Sequence, residues 1–322
     1  MAAAFQASID DIRSNVSLQR LVDAIERRDF EAAVRALYID EAAFSPLSRT
    51  ISDAYSDGGA LAAASIPAAA GGGQVVFRFN ARAPRAERWL AQHSSTLITG
   101  ITADIRAAAR QHLVSGMELG QNPRTTALSL VGRIDRVSGR RVGGVLGLTS
   151  AQERFVANAR AELTSGDPAR MRNYLTRARR SKGPGGQLDR LVLSAIREGK
   201  PLDAATVERA LGAYADRLLE LRGSTVARTE SMAALNQSNI EAYQQAIDTG
   251  QVQAQNVRKV WVATQDARTR DSHRHMDRES VGINERFSNG LMYPGDPNGA
   301  ASEVINCRCT MFTRVDHLAN LT

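Results

Sequence analysis

The stretch S14NVSLQRLVDAIERRDFEAAVRALY38 carries the pattern that decides the fold class. Its apolar residues recur at i, i+3, i+4 and i+7, first from Leu18 to Ile25 and again from Phe30 to Leu37. That spacing places apolar side chains along one face of an α-helix. The pattern therefore predicts amphipathic helices here, within an N-terminal helical arm over residues 1–57.

Composition points the same way. The chain has 322 residues, of which 43% are hydrophobic but only 5% aromatic, so Ala, Leu, Ile and Val must fill the core. Such a core favours helices packed on helices, in about two domains. No apolar run reaches the roughly 18 to 20 residues of a membrane span. The N-terminus lacks the basic and apolar regions of a signal peptide. We expect a soluble protein made in a reducing compartment.

For the chain as a whole, we predict a predominantly α-helical fold with a small α+β, loop-rich C-terminal module. A Gly/Ala-rich linker over 58–74 follows the arm. Residues 75–149 are predicted to form a strand, a long helix and a basic loop region. A helical array over 150–250 and the C-terminal module over 251–322 complete the chain.

Capping and stop signals place the elements within these segments. We predict a capping box from Ser150 to Glu153 and a helix stop at Gly223, with the next helix opening at Ser224. Strands are predicted at Val75–Phe79 and over 257–264, because β-branched and aromatic residues are concentrated there.

Positive charge is concentrated in the middle of the chain. The net charge is +7, yet residues 101–200 hold 18 Lys/Arg against 8 Asp/Glu. A basic segment can follow a phosphate backbone or meet an acidic protein surface, and both remain open. The candidate contact residues are Arg133, Arg136, Arg140, Arg141, Arg179, Arg180 and Lys182.

The C-terminal module concentrates residues with chemical potential. They read W-x4-D-x-R-x-R-x2-H-x-H-x-D and, after a loop, E-x2-N-C-R-C. The two patterns contain Trp261, Asp266, Arg268, Arg270, His273, His275, Asp277, Glu303, Asn306, Cys307 and Cys309.

The two cysteines, Cys307 and Cys309, are too close in sequence for an unstrained disulfide. Free thiols could bind zinc together with His273, and His275 or Asp271 could be the fourth ligand. Alternatively, both cysteines lie on one face of a strand and pack as small hydrophobic residues.

A catalytic reading also stays open. Cys307 and His273 could form a nucleophile–base pair, or His273, His275, Asp266 and Glu303 could build a metal-dependent hydrolase or nuclease centre. The sequence contains no H-E-x-x-H, G-x-S-x-G or P-loop pattern. We therefore expect no enzyme.

The stretch W261VATQDARTRDSHRHMD277 with E303VINCRC309 resembles the C-terminal domain of the Mu F-like family of phage minor head, or head-morphogenesis, proteins. The segment V226ARTES231 is similar to the helix that precedes this domain. The resemblance covers residues 224–312. Its signature residues are Arg228, Glu230, Trp261, Asp266, Arg268, Glu303 and Asn306.

The resemblance implies a low-copy virion protein of a tailed phage, made in the bacterial host cytoplasm and located near the portal vertex. It would act in head morphogenesis and in DNA packaging or delivery. Its partners would be the portal protein, other head proteins and packaged double-stranded DNA. Some members carry toxin or enzyme domains after this module, and with 13 residues following Cys309 we expect none here.

This sequence departs from the family pattern at possible metal ligands. Family members carry C-x2-C in the segment where this chain has Arg270 and His273, and a His where it has Val304. The departures remove ligands from a four-cysteine zinc site and leave His273, Cys307 and Cys309 with an unassigned fourth group. Zinc stays the candidate cofactor, against the alternative that the cysteines only pack as hydrophobic residues.

Overall fold

A computed structural model describes residues 1–66 and 77–316. It confirms a predominantly helical chain with a small α+β module. Within the described ranges, no helix combines the length and apolar character needed to cross a membrane. The longer helices are α1 (Ala2–Asn15), α2 (Leu18–Glu26), α3 (Phe30–Arg35), α4 (Ser45–Ala64), α5 (Pro84–Glu118), α6 (Pro123–Val131), α7 (Ser150–Leu163), α8 (Pro168–Thr176), α9 (Gln187–Glu198) and α10 (Ala204–Asp248).

Short elements complete the fold. Two one-turn helices, α11 (Asp271–His275) and α12 (Ala301–Val304), lie in the C-terminal part. The 3₁₀ turns span Glu41–Phe44, Pro184–Gly186 and Ala254–Asn256. The strands are β1 (Arg133–Ile134), β2 (Arg141–Val142), β3 (Val257–Val262), β4 (Ser280–Gly282) and β5 (Thr310–Val315).

The chain forms two compact units. The helical unit comprises Ala2–Pro46 and Leu97–Gly223, and the sheet unit comprises Met1, Leu47–Thr96 and the chain from Ser224 onward. Helices α5 and α10 each contribute residues to both units. The segment borders expected from the sequence stay a prediction.

The helical unit buries the start of the chain. Phe5 and Ile9 of α1 are fully buried, and the guanidinium of Arg13 donates to the carbonyl oxygens of Gly144 (2.6 Å) and Leu146 (2.8 Å). Desolvation lowers the pKa of Arg13 to about 10. Those long-range contacts pack α1 within its unit.

The sheet unit is built on an antiparallel three-stranded sheet in the order β4-β3-β5. Trp261 of β3 pairs with Met311 of β5, and Val260 pairs with both Ser280 and Phe312. The C-terminal half of α10 packs on this sheet, where the Tyr243 hydroxyl donates to the Thr313 carbonyl at 2.9 Å.

The Gly/Ala-rich segment differs from its prediction as a linker. Residues 58–64 belong to α4. Their small side chains allow close packing, since a Cβ on Gly58 would lie 2.6 Å from Ser238 Oγ. Residues 67–76 lie outside the described residues. The predicted strand Val75–Phe79 is absent where it is described, over 77–79.

Two helix signals were also misassigned. Helix α10 continues through Gly223, where a Cβ would lie 3.2 Å from Phe5 Cδ1, so this glycine permits close packing and does not end the helix. The capping box of α7 uses Thr149 and Gln152, one residue earlier than predicted. The basic loop region contains the β1–β2 hairpin, closed by Asp135 Oδ1, which accepts from Ser138 N at 2.7 Å.

Candidate metal centre

Three side chains from separate elements meet in the sheet unit. His273 lies on α11, Cys307 follows the turn after α12, and Cys309 immediately precedes β5. All three are buried, with exposed fractions of 1%, 1% and 2%. Because Cys309 extends the line of β5 beside β3, the sheet fixes its position relative to Trp261.

The imidazole of His273 joins a carboxylate to two thiols. Its Nε2 donates to Glu303 Oε2 at 2.8 Å. Its Nδ1 lies 3.5 Å from Cys307 Sγ and 3.4 Å from Cys309 Sγ. Since the carboxylate can only accept, Nε2 holds the proton, and in the neutral ring Nδ1 directs its lone pair at the sulfurs.

Both cysteines are free thiols, and their acidities diverge. A hydrogen bond from Cys307 lowers the pKa of Cys309, and His273 acts in the same direction. The pKa of Cys307 is raised by its bond to Cys309 and by burial. Like charges this close cannot both ionise readily, so the pair favours one thiolate over two.

Aromatic rings enclose the cluster. Trp261 meets the His273 ring edge-on, at 5.2 Å between centroids and 76° between planes, and meets Phe287 at 5.1 Å and 81°. Ala263, Met276 and Leu291 complete the same buried core. Both cysteines belong to this core, so they do pack beside apolar groups while facing the imidazole.

The N-C-R-C segment is held by the loop that follows β3. Arg308 binds the carboxylate of Asp266 through both terminal nitrogens, one of them at 2.6 Å. This guanidinium holds the pKa of Asp266 well below its usual range. Thr264 Oγ1 donates to the Arg308 carbonyl at 2.7 Å, which fixes the backbone between the cysteines.

Asn306 connects the same segment to α10. Its φ of 58° lies in the left-handed region, which Asn tolerates better than most residues. Its backbone N–H donates to Thr229 Oγ1 at 3.1 Å, and its amide donates to Thr225 Oγ1 at 3.3 Å. Sequence reasoning missed both threonines, although their i, i+4 spacing on one helix face was a usable signal.

Glu230 serves the packing of α10 within the sheet unit. Its carboxylate lies 2.5 Å from His93 Nε2, and both side chains are largely buried. The His93 ring stacks on Trp89 at 4.5 Å, and Trp89 stacks on Tyr55 at 5.2 Å. This signature residue thus has a structural partner outside the matched motif.

Comparison with known proteins identifies the part of the chain that contains this arrangement. Residues 187–312 match the family model described as Phage Mu protein F like protein. This part of the chain is similar to the Mu F-like family. The family is one of phage head proteins.

A curated relative shares part of the sequence. The chain is 33% identical over 96 residues to a protein of Enterococcus faecalis named NAD(+)--arginine ADP-ribosyltransferase EFV. The match covers 29% of this chain and 19% of that protein, so the chain spans about a fifth of its relative's length. No solved structure matches.

The Mu F-like motif does not bring every candidate ligand together. His275 is exposed, and its Nδ1 lies 2.7 Å from the carbonyl oxygen of Asp271 in its own helix. Asp271 is also exposed and pairs with Arg274. Over the described ranges, the one cluster of three or more potential metal ligands is His273, Cys307 and Cys309.

The remaining motif positions lie around the cluster. Arg228 is exposed and reaches Asn306 Oδ1 at 3.5 Å, while Arg268 points outward. Arg270 donates to the Ile305 carbonyl at 2.6 Å. Asp277 accepts from the Ala263 N–H at 2.9 Å. These contacts position loops and do not add ligands.

The basic candidates of the helical unit divide into two groups. Three are engaged: Arg140 with Asp10, Arg180 with Asp189, and Arg141 with the Gly132 carbonyl. The others are exposed, with no carboxylate within 4 Å among the described residues. These are Arg133, Arg136, Arg179 and Lys182.

Two chemistries fit a thiol–imidazole–carboxylate arrangement: metal binding and nucleophilic catalysis. A nucleophile must reach its substrate, yet both thiols are at most 2% exposed. The adjacent cavity holds about 20 Å³, against roughly 300–1,000 Å³ for small-molecule pockets. The geometry therefore favours a ligand no larger than an ion with a water molecule.

Proposed function

We propose that the chain is a low-copy minor head protein of a tailed phage, associated with the portal, that acts in head morphogenesis and in DNA packaging or delivery. The match of residues 187–312 to the Mu F-like family carries this proposal. On this proposal, the protein is made in the bacterial cytoplasm and assembled into the head near the portal vertex.

The use of the motif residues supports a structural role. Trp261 packs in the core, Asp266 binds Arg308, Glu303 binds His273, and Asn306 binds α10. Each contact joins separate segments of the sheet unit. A module built this way provides a stable body for assembly and leaves the thiols inaccessible to a large substrate.

The hairpin of the helical unit is the candidate contact surface. Val137 and Ile134 are 96% and 64% exposed, and Arg133 and Arg136 lie beside them. Exposed apolar and basic groups together suit an acidic protein surface with apolar patches, such as a neighbouring head protein. Phosphate contacts would use the arginines alone.

Virion composition and a gene knockout test the proposal. Mass spectrometry of purified particles should detect a few copies of the chain per head. A stop codon in its gene should lower the infectious titre, and a plasmid copy should restore it. Particles that lack the chain in an infectious stock would overturn the proposal.

Charge reversal tests the partner surface. The double variant Arg133→Glu/Arg136→Glu should lose co-purification with the portal protein of the same phage, while the exposed control Arg27→Glu should retain it. Equal capture of both variants would exclude the hairpin as the portal contact. If the double variant instead loses only salt-sensitive retardation of DNA, the hairpin contacts phosphates.

A second candidate is a metal-dependent hydrolase or nuclease centred on the same cluster. The observation that favours it is the unbroken chain of contacts from Cys307 through His273 to Glu303. This candidate requires an activity in the purified chain that is lost in a folded Cys307→Ser variant. We expect no such activity, because the thiol is buried.

A further inference from the structure

We propose that His273 Nδ1, Cys307 Sγ and Cys309 Sγ bind one Zn²⁺, whose fourth position is taken by water. The ligand atoms all lie within 4.8 Å of one another. The proposal rests on the geometry of the sheet unit and does not depend on a role in the phage head.

The first argument is distance. Zinc binds sulfur at about 2.3 Å and imidazole nitrogen at about 2.0–2.1 Å with tetrahedral angles, so the two ligand atoms lie about 3.5 Å apart. The observed separations between Nδ1 and the sulfurs are 3.5 and 3.4 Å. Both nitrogen–sulfur separations thus already match those of a zinc tetrahedron.

The second argument is that two sulfurs share one nitrogen. The Nδ1 atom offers a single hydrogen-bonding position in the ring plane, so a hydrogen bond can join it to only one sulfur at a time. Both sulfurs nevertheless lie at nearly equal distances from it. An ion placed between the three atoms would bind all of them simultaneously.

The third argument is the environment of the ligand set. Glu303 accepts from Nε2 of His273, the arrangement that fixes the tautomer and orientation of metal-binding histidines. Two thiolates and one neutral imidazole would balance the charge of Zn²⁺, which favours these soft ligands. Both sulfurs are buried in the surrounding core.

A small cavity borders two of the three proposed ligands, His273 and Cys309, and would offer room for a fourth ligand. It measures about 20 Å³, and its lining includes His273, Cys309, Thr264 and Arg270. A water molecule needs roughly 10–15 Å³ of such volume. No fourth His, Cys, Asp or Glu joins the cluster among the residues the structure describes, so the structure favours water here.

Metal content of the full-length protein tests the proposal. The chain, purified without chelators, should contain about one zinc per molecule. Cys309→Ser and His273→Ala should lose it, while His275→Ala, a control on the same short helix, should retain it. Zinc-free protein that also fails to bind added zinc would overturn the proposal.

A spectroscopic test does not depend on the variants folding. Adding Co²⁺ to metal-free wild-type chain should produce thiolate-to-cobalt bands and the intense visible bands of a tetrahedral site. A thiol reagent should modify the two cysteines more slowly after zinc is added than in the metal-free chain, because both sulfurs would then be bound to the ion. Absent bands and unchanged thiol reactivity would exclude a shared metal.

The water ligand has its own test, because His317 lies outside the described residues. His317→Ala should leave the cobalt spectrum unchanged. A changed spectrum would show that the imidazole of His317, and not water, is the fourth ligand, and would overturn the proposed water position.

None of these measurements involves the portal or DNA. Failure of the zinc proposal therefore leaves the proposed head function untouched, and failure of that function leaves the zinc site standing.

Discussion

His112 of the helical unit and His273 of the sheet unit are both buried and both contact a glutamate, but they differ in what meets the second ring nitrogen. In the helical unit, His112 Nδ1 lies 3.2 Å from Glu153, and its Nε2 lies 2.8 Å from Ser129 Oγ. In the sheet unit, Glu303 accepts a hydrogen bond from Nε2 of His273, and two thiols face Nδ1. The same residue pair thus appears once in an all-oxygen network and once beside sulfur.

The comparison separates a structural histidine from a candidate ligand. Both oxygens of Glu153 have side-chain partners, since Gln111 donates to the second one at 2.6 Å. That network is complete without any bound ion. His273 Nδ1 instead faces two sulfur atoms that could bind a metal ion together with it. The two sites are therefore distinguished by the partners of the second ring nitrogen, since both histidines are buried and both contact a glutamate.

The largest expected effect tests the all-oxygen network. Glu153→Ala removes a buried carboxylate and leaves His112 and Gln111 without their partner. We expect the free energy of unfolding to fall by about 3–5 kcal/mol in urea denaturation. Glu118→Ala, exposed on the same helix as His112, is the control. A loss that zinc or a chelator alters would show that the two sites are coupled.

The next effect tests the role of Glu303 at the sulfur-facing site. Glu303→Gln keeps the size of the side chain but weakens its hold on Nε2 of His273. We expect zinc affinity to drop by about 10- to 100-fold in competition with a chromophoric chelator. Asp271→Asn, exposed beside the same histidine, should leave the affinity unchanged. Equal affinities would mean that Glu303 does not orient the ligand.

A smaller effect concerns the turn that presents Cys307. Asn306→Ala keeps a left-handed φ that a Cβ disfavours by about 1–2 kcal/mol and loses the side-chain bond to Thr225, while the backbone bond to Thr229 stays. Asn306→Gly loses the side-chain bonds alone, because glycine adopts this φ freely. Urea denaturation should therefore rank glycine above alanine. The reverse order would show that the left-handed backbone conformation does not explain why asparagine stands at position 306.

A pH-dependent effect concerns a buried lysine whose ammonium has no carboxylate within 4 Å among the residues that the structure describes. Lys259 of β3 is fully buried, and its ammonium donates to the Met292 carbonyl at 2.8 Å. Burial lowers the pKa of Lys259 to about 8 from its ordinary value of 10.5, although Asp296 opposes the shift. Below pH 8 both folded and unfolded chains hold this proton, so the cost of burying the charge is fully present.

Between pH 8 and 10.5 the unfolded chain keeps the proton that the folded chain has lost. Stability therefore rises with pH in this window. Relative to Lys259→Met, the wild type should gain about 2 kcal/mol between pH 7 and 10 in urea denaturation. A difference that stays constant with pH would show that Lys259 remains charged in the folded chain.

Local signals predicted much of the fold. The 3.6-residue periodicity located helices such as α2 and α7, and Asp167-Pro168 marked the start of α8. The helix end predicted at Gly223 was wrong, because a glycine inside a helix and a glycine that ends a helix look alike in the local sequence. Only the position of Phe5, more than 200 residues earlier, distinguishes them.

The candidate site shows the same division. Residue type and spacing alone singled out His273, Cys307 and Cys309, because few side chains offer soft donors. They also suggested His275, which the one-turn helix α11 directs to solvent. Side chains two residues apart on a helix point in different directions, so only one of the two histidines could face the cysteines.

The sequence by itself determined the helical class, the positive charge of the middle segment and the identity of the sulfur and nitrogen donors, since these follow from composition and local periodicity. Tertiary structure decided which donors meet. Antiparallel pairing of β3 with β5 brings Trp261 beside the cysteines, and α12 delivers Glu303 to His273. Those contacts join residues 30 or more positions apart, which backbone pairing and burial fix and local sequence does not.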